Sequence, residues 1–151
     1  MSGKILVVED DYLQSEWLIE KLKEEFPDYE IELLCTESDF YRYHAGIVNA
    51  EKKPDVVLMD VMLSWADPSP NMPEPPEEVK QKGFYEAGLR CRNMMISDPK
   101  TRDIHVVLYT QLENSDLREA DPGNNYMHLR KDANIVPLLQ KISSLLEKKR
   151  I

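Results

Sequence analysis

Glu9 and Asp10 follow the run Ile5-Leu6-Val7-Val8, and Asp60 closes the run Pro54-Asp55-Val56-Val57-Leu58-Met59. Thr110 follows Ile104 to Tyr109, and Lys131 follows Tyr126 to Arg130. Three carboxylates brought to one place repel one another, so an isolated cluster raises at least one pKa and titrates as a coupled set. A divalent cation removes the conflict. Oxygen donors with no His or Cys beside them select a hard ion, and a site with few protein ligands suits Mg²⁺, with Mn²⁺ as a substitute. An aspartate in such a site is also a nucleophile able to form an aspartyl phosphate. Transfer of a phosphoryl group needs mainly positioning and charge neutralisation around its oxygens. The Lys131 ammonium and the Thr110 hydroxyl supply those interactions.

These residues can meet only if the runs that carry them lie side by side. Short Val, Ile and Leu runs alternate with longer amphipathic stretches, the pattern of parallel strands joined by crossover helices, so the class is α/β. Strands are expected near 4–8, 30–35, 54–60, 104–109 and 126–130. The first helix starts at Asp10 or Asp11 as cap, carries Leu13, Trp17, Leu18 and Leu22, and ends at Pro27. A second runs from Thr36 and Glu37 to about Ala50. Helical spacing resumes near Gly83 and carries Phe84, Ala87, Leu89, Cys91, Met94 and Met95 to the stop at Asp98-Pro99. A short polar helix covers Asn114 to Ala120 before the turn signal Asp121-Pro122-Gly123-Asn124-Asn125, and a last helix carries Ile135 to Leu146, with Pro137 tolerated in its first turn. In an open sheet of this kind the ligand site lies beyond the carboxyl ends of the strands, where Glu9, Asp10, Asp60, Thr110 and Lys131 all fall.

The segments Ile5-Leu6-Val7-Val8-Glu9-Asp10-Asp11, Val57-Leu58-Met59-Asp60-Val61-Met62-Leu63, Val106-Val107-Leu108-Tyr109-Thr110 and Leu129-Arg130-Lys131-Asp132, taken in order, resemble the receiver domain of two-component response regulators. The resemblance implies a doubly wound, five-stranded parallel sheet of flavodoxin-like order 2-1-3-4-5 with five flanking helices. It implies that Asp60 is the phosphoacceptor, supplied by a histidine kinase or a histidine phosphotransfer protein. Glu9, Asp10, Asp60 and the Met62 backbone carbonyl would hold Mg²⁺, and Thr110 and Lys131 would sense the phosphate. The family couples the threonine to an aromatic residue three places before the lysine; that place here is His128, with Tyr126 two residues earlier. Met62 and Leu112, two places beyond Asp60 and Thr110, match positions that tune dephosphorylation, and as apolar residues they imply a slow reaction. Output would pass to a downstream protein target through the fifth strand and the helices on either side of it. Ser64 stands where the family commonly has proline, Gln111 replaces a small residue, and Asp132 replaces another common proline.

The 151 residues fit one domain with a substantial core, 42% of them hydrophobic. Interrupting it is a proline-rich insertion at about 64–82, where Pro68, Pro70, Pro73, Pro75 and Pro76 exclude helix and central strand up to Pro76. Trp65 and Met72 offer apolar anchors there, and the segment is expected either to be a solvated loop or to shape access to Asp60. With 19 Lys and Arg against 28 Asp and Glu, the formal charge of -9 disfavours nucleic acid and anionic membrane as direct partners. The chain has no signal-peptide pattern and no spanning stretch, which points to the cytoplasm. Cys35 and Cys91 are expected to be buried reduced thiols. Two other readings remain: a phosphorylation-independent interaction module on the same fold, and an aspartate-nucleophile phosphohydrolase. The second would want a carboxylate at Met62. Beyond its own phosphorylation and dephosphorylation the chain is not expected to be an enzyme, and no G-x-G-x-x-G or Walker loop follows the first strand.

Overall fold

The structure is a computed structural model that describes residues 3–47, 53–120 and 126–150, without the side chains of the last two. In chain order, the elements are β1 (Lys4–Val8), α1 (Tyr12–Glu25), β2 (Glu30–Leu34), α2 (Glu37–Ile47), β3 (Val56–Met59), α3 (Glu77–Lys82), a 3-10 turn (Gly83–Glu86), α4 (Ala87–Ser97), β4 (His105–Thr110), α5 (Asn114–Ala120), β5 (His128–Arg130) and α6 (Val136–Arg150). The strands form one sheet of order β2-β1-β3-β4-β5, every pair parallel. The α/β class is the one expected from the alternation of apolar runs and amphipathic stretches, and the doubly wound order is the one that the receiver-domain resemblance implies.

Strand side chains alternate between the two faces of the sheet, and the helices divide accordingly. Leu6, Val8, Val57, Met59, Val106 and Leu108 pack with Phe40 of α2, Leu89, Cys91 and Met95 of α4 and Leu117 of α5. Ile5, Val7, Leu58, Val107 and Tyr109 face Leu18 and Leu22 of α1 and Leu138, Ile142 and Leu145 of α6. Because β3 and β4 are covered on both sides, their runs are apolar without alternation. Each fully buried Leu, Ile or Val here contributes roughly 1.5–3 kcal/mol of transfer free energy.

Helix starts follow local chemistry. Asp11, rather than Asp10, caps α1 by accepting the Gln14 N–H at 3.0 Å. Thr36 Oγ1 accepts the Asp39 N–H at 3.2 Å at the head of α2. The expected end of that helix near Ala50, like the turn Asp121-Pro122-Gly123-Asn124-Asn125, lies outside the described residues. β5 is shorter than expected, beginning at His128 instead of Tyr126. Cys91 is buried as expected, whereas Cys35 is only partly buried.

The five expected helices are joined by a sixth, α3, which begins six residues before the expected resumption at Gly83. Pro76 precedes its first residue in an extended conformation, φ -59° and ψ 159°. A proline there costs no helical hydrogen bond, and Glu77 and Glu78 suit the positive end of the helix dipole. Gly83, with φ 71°, separates α3 from the 3-10 turn in a conformation that a Cβ would strain. Of the two expected anchors in the insertion, Met72 is exposed, while Trp65 packs edge-on against Tyr41 of α2 with centroids 5.3 Å apart. Among the described residues, no helix is long and apolar enough to cross a membrane.

Gly88, in the first turn of α4, holds the segment after β3 in place. Its N–H donates to the Val61 carbonyl at 2.8 Å, and a Cβ on it would meet the Asp60 carbonyl and lie 2.7 Å from the Val61 Cα. Since those are backbone atoms, Gly88→Ala must push α4 away from the Asp60 turn. We expect a loss of about 1–3 kcal/mol in urea denaturation, the usual cost of overpacking.

Candidate functional site

The hydrogen-bond ladder runs one rung past the strands and fixes the candidate residues. The N–H of Glu9 donates to Leu34 O at 3.0 Å, that of Asp60 to Val8 O at 3.0 Å, and that of Lys131 to Thr110 O at 2.8 Å. Glu9, Asp60 and Lys131 therefore leave the sheet from fixed backbone positions at its carboxyl edge. Together with Asp10, Met62, Gln14, Ser64, Phe84 and Gln111, they line a cleft of about 350 Å³.

Lys131 Nζ donates to both Glu9 Oε1 and Asp60 Oδ2, the latter at 2.8 Å. Its side chain is buried, as are the two carboxylates. The other Asp60 oxygen, Oδ1, accepts the Val61 N–H at 2.7 Å, so the carboxylate is held at both ends. Glu9 Oε2 accepts the Asp11 N–H at 3.2 Å. Asp10 is exposed at the mouth of the cleft, and one oxygen from each of Glu9, Asp10 and Asp60 lies within 4.8 Å of the others.

One ammonium does not settle three carboxylates. Burial, then the charge of Asp60 and a hydrogen bond shared with it, push the Glu9 carboxyl up to about 7 against the pull of Lys131. Burial works against the charge of Lys131, but Asp60 and Glu9 more than offset it and its pKa is raised. A second positive charge would relieve Glu9 of its proton. The donors are all carboxylate oxygens with one member open to solvent, so the residues fit a hard divalent cation with water in its remaining positions.

The sign of the resulting pH dependence follows. Between about 4.5 and about 7 the folded, cation-free protein keeps a proton on Glu9 that the unfolded chain releases. The contribution of this group to stability is full below that window and declines as pH rises through it. Urea denaturation of cation-free protein should show this downward trend, and Glu9→Gln should remove it.

The other expected site residues divide. Met62 lines the cleft beside Asp60, whereas Leu112 packs against the core, and Gln111 takes the place at the rim. Thr110 is fully buried and does not line the cleft; its Oγ1 accepts the Leu112 N–H at 3.4 Å. The Leu112 carbonyl in turn accepts from His128 Nε2 at 2.9 Å, and His128 Nδ1 lies 2.8 Å from the side-chain amide of Asn114 at the start of α5. Burial, opposed in part by the Leu112 bond, lowers the His128 pKa and favours the neutral ring. Tyr126 instead lies under the Arg92 guanidinium, 4.5 Å from the ring centroid.

Sequence reasoning missed Gln14, Phe84 and Gln111 as cleft residues, and Arg90 altogether. Arg90 forms a buried two-pronged pair with Glu37, Nε to Oε2 and Nη2 to Oε1, both at 2.8 Å, and Nη2 also donates to Gly83 O at 2.7 Å. Tyr41 completes the group by donating its hydroxyl to Glu37 Oε2 at 2.7 Å. Arg90 lies one helical turn from Ala87 and Met94, both in the expected helical spacing, but an arginine there reads as a surface residue until its partner is known.

No protein-family model matches this chain, and no curated protein matches it by sequence. Solved structures do. The signal receiver domain of a DNA-binding response regulator from Colwellia psychrerythraea 34H superposes with a TM-score of 0.68 at 24% identity, covering 96% of this chain and 98% of that one. The BeF3-activated receiver domain of DrrB, a response regulator of Thermotoga maritima, gives a TM-score of 0.62 at 25% identity over 97% and 99% of the two chains. The receiver domain of a sensor histidine kinase from Pseudomonas aeruginosa PAO1, solved with a magnesium ion coordinated in its active-site cleft, gives 0.66 at 16% identity over 97% and 99%. The chain has the fold of a response-regulator receiver domain.

Proposed function

We propose that this chain is a phosphoacceptor receiver in which Asp60 takes a phosphoryl group from a histidine kinase or a histidine phosphotransfer protein, with Mg²⁺ (or Mn²⁺) bound by Glu9, Asp10, Asp60 and the Met62 carbonyl. One observation carries the reading: Lys131 Nζ bridges Glu9 and Asp60 at the carboxyl edge of the sheet, with Asp10 beside them. In the transfer, an Asp60 carboxylate oxygen attacks the phosphorus of a phosphohistidine. The P–O bond forms as the P–N bond breaks, and the electron pair leaves with the imidazole nitrogen. A divalent cation held by Glu9, Asp10 and Asp60 would neutralise charge on the phosphoryl oxygens. Lys131 leaves its carboxylate partners in part to hold another oxygen, and the Val61 N–H keeps Asp60 oriented.

Thr110 must turn from its buried position to reach the new phosphate. That movement draws on Leu112, and His128 is bonded to the Leu112 carbonyl, so His128 rather than Tyr126 is the better placed switch. The affected surface is α5, β5 and α6, which would change its affinity for a downstream protein target in the cytoplasm. Acetyl phosphate with Mg²⁺ separates the alternatives. A stable covalent phosphate supports the proposal, no adduct favours a phosphorylation-independent module, and sustained turnover of phosphate esters favours a hydrolase.

Met62 beside the phosphoacceptor is apolar and cannot orient an attacking water by hydrogen bonding. Self-dephosphorylation of the purified phosphoprotein in Mg²⁺ is expected to be slow, and a half-life of minutes or less would contradict this.

A further inference from the structure

Asp10 is the exposed member of the carboxylate cluster. Its Oδ2 accepts two hydrogen bonds, and both come from Ser64: the N–H at 3.1 Å and the hydroxyl at 3.2 Å. Ser64 is itself fixed on both sides. The preceding Leu63 is fully buried and donates its N–H to Phe84 O at 3.2 Å. The carbonyls of Ser64 and Trp65 accept the Glu37 and Ser38 N–H groups at 2.9 and 2.8 Å, at the open N-terminal end of α2. Trp65 packs on Tyr41 and donates its indole N–H to Pro73 O at 2.8 Å, folding the insertion back on itself.

A proline at this place would have neither an N–H nor a hydroxyl and could make neither bond to Asp10. We infer that Ser64 is a positioning residue of the cation site: it fixes the Asp10 carboxylate and makes the head of the proline-rich insertion part of that site. Carboxylates that bind metal are themselves oriented by hydrogen bonds, and losing such a partner typically weakens binding by about ten- to a hundredfold. The inference rests on the cation reading proposed above.

Calorimetric titration of Mg²⁺ into the unphosphorylated full chain tests it. Ser64→Ala keeps the N–H and loses the hydroxyl, and is expected to bind about tenfold more weakly. Ser64→Thr keeps both donors and should stay within about twofold of the parent, while Ser64→Pro loses both and should bind more weakly than Ser64→Ala. Asp10→Asn is measured alongside. If Asp10→Asn removes binding while Ser64→Ala binds as well as Ser64→Thr, the positioning role is wrong and the cation site stands. If Asp10→Asn binds like the parent, the cation site itself is wrong and the role of Ser64 falls with it. Should Ser64→Pro fail to fold, as judged by circular dichroism, the Ala and Thr pair decides the question.

Discussion

Replacing Lys131 by methionine is expected to slow phosphorylation of Asp60 by a small phosphodonor on the order of 100-fold, the usual consequence of removing one fixed donor from a developing oxyanion. Methionine keeps much of the stem volume but removes the ammonium that touches both Glu9 and Asp60. With this charge gone, nothing on the Lys131 side opposes the burial and the Asp60 charge that already hold the Glu9 carboxyl near 7, so Glu9 keeps its proton to still higher pH. Cation binding then has to expel that proton, which makes it depend more steeply on pH near neutrality. The measurement is the rate of adduct formation with acetyl phosphate at saturating Mg²⁺. A rate within about threefold of the parent would mean that Lys131 has no part in the transfer.

Arg90→Ala should be the most destabilising single substitution considered, by about 3–5 kcal/mol. Its guanidinium and the Glu37 carboxylate are almost wholly buried, with side-chain exposures of 6% and 0%. Removing the cation strands a buried carboxylate whose remaining donor is the Tyr41 hydroxyl, and it also removes the donor to Gly83 O. A domain of ordinary stability, about 5–15 kcal/mol, has little room for that loss. Glu37→Leu combined with Arg90→Met should recover much of it, because the cost lies in the unpaired charge rather than in the absence of a pair. Urea midpoints of the single and double variants measure the difference. A shift worth less than about 1 kcal/mol for Arg90→Ala would show that the pair is solvated in solution.

Much of the site could be read from the chain because strand burial and functional position are linked in this fold. β3 and β4 are apolar at nearly every position since both faces are covered, so the first polar residue beyond each run marks the carboxyl edge. Asp60 and Thr110 stand out for that reason and Glu9 follows the same rule, whereas Lys131 comes after β5, where His128 and Arg130 are already polar. What escaped depends on contacts between distant segments. Glu37 looks like an ordinary acidic residue in a first helical turn, and only the packing of α4 on α2 shows that it is buried with Arg90. Ser64 was visible as a departure from the usual proline, but its bonds to Asp10 span 54 positions. The start of α3 was missed because the prolines before it obscured the helix that Pro76 permits at Glu77. Thr110 was correctly placed at a strand end, yet its hydroxyl turns towards Leu112 and away from the cleft, a choice of side-chain direction that no periodicity reveals.

The central claim is that one carboxylate, Asp60, receives one phosphoryl group with the help of a cation. Intact-protein mass spectrometry after acetyl phosphate treatment addresses it directly, with Mg²⁺ or with excess chelator, on the parent chain and on Asp60→Asn. A single adduct of one phosphate is expected on the parent only when Mg²⁺ is present, and none on Asp60→Asn under either condition. An adduct of equal yield on Asp60→Asn, or one indifferent to Mg²⁺, would contradict it.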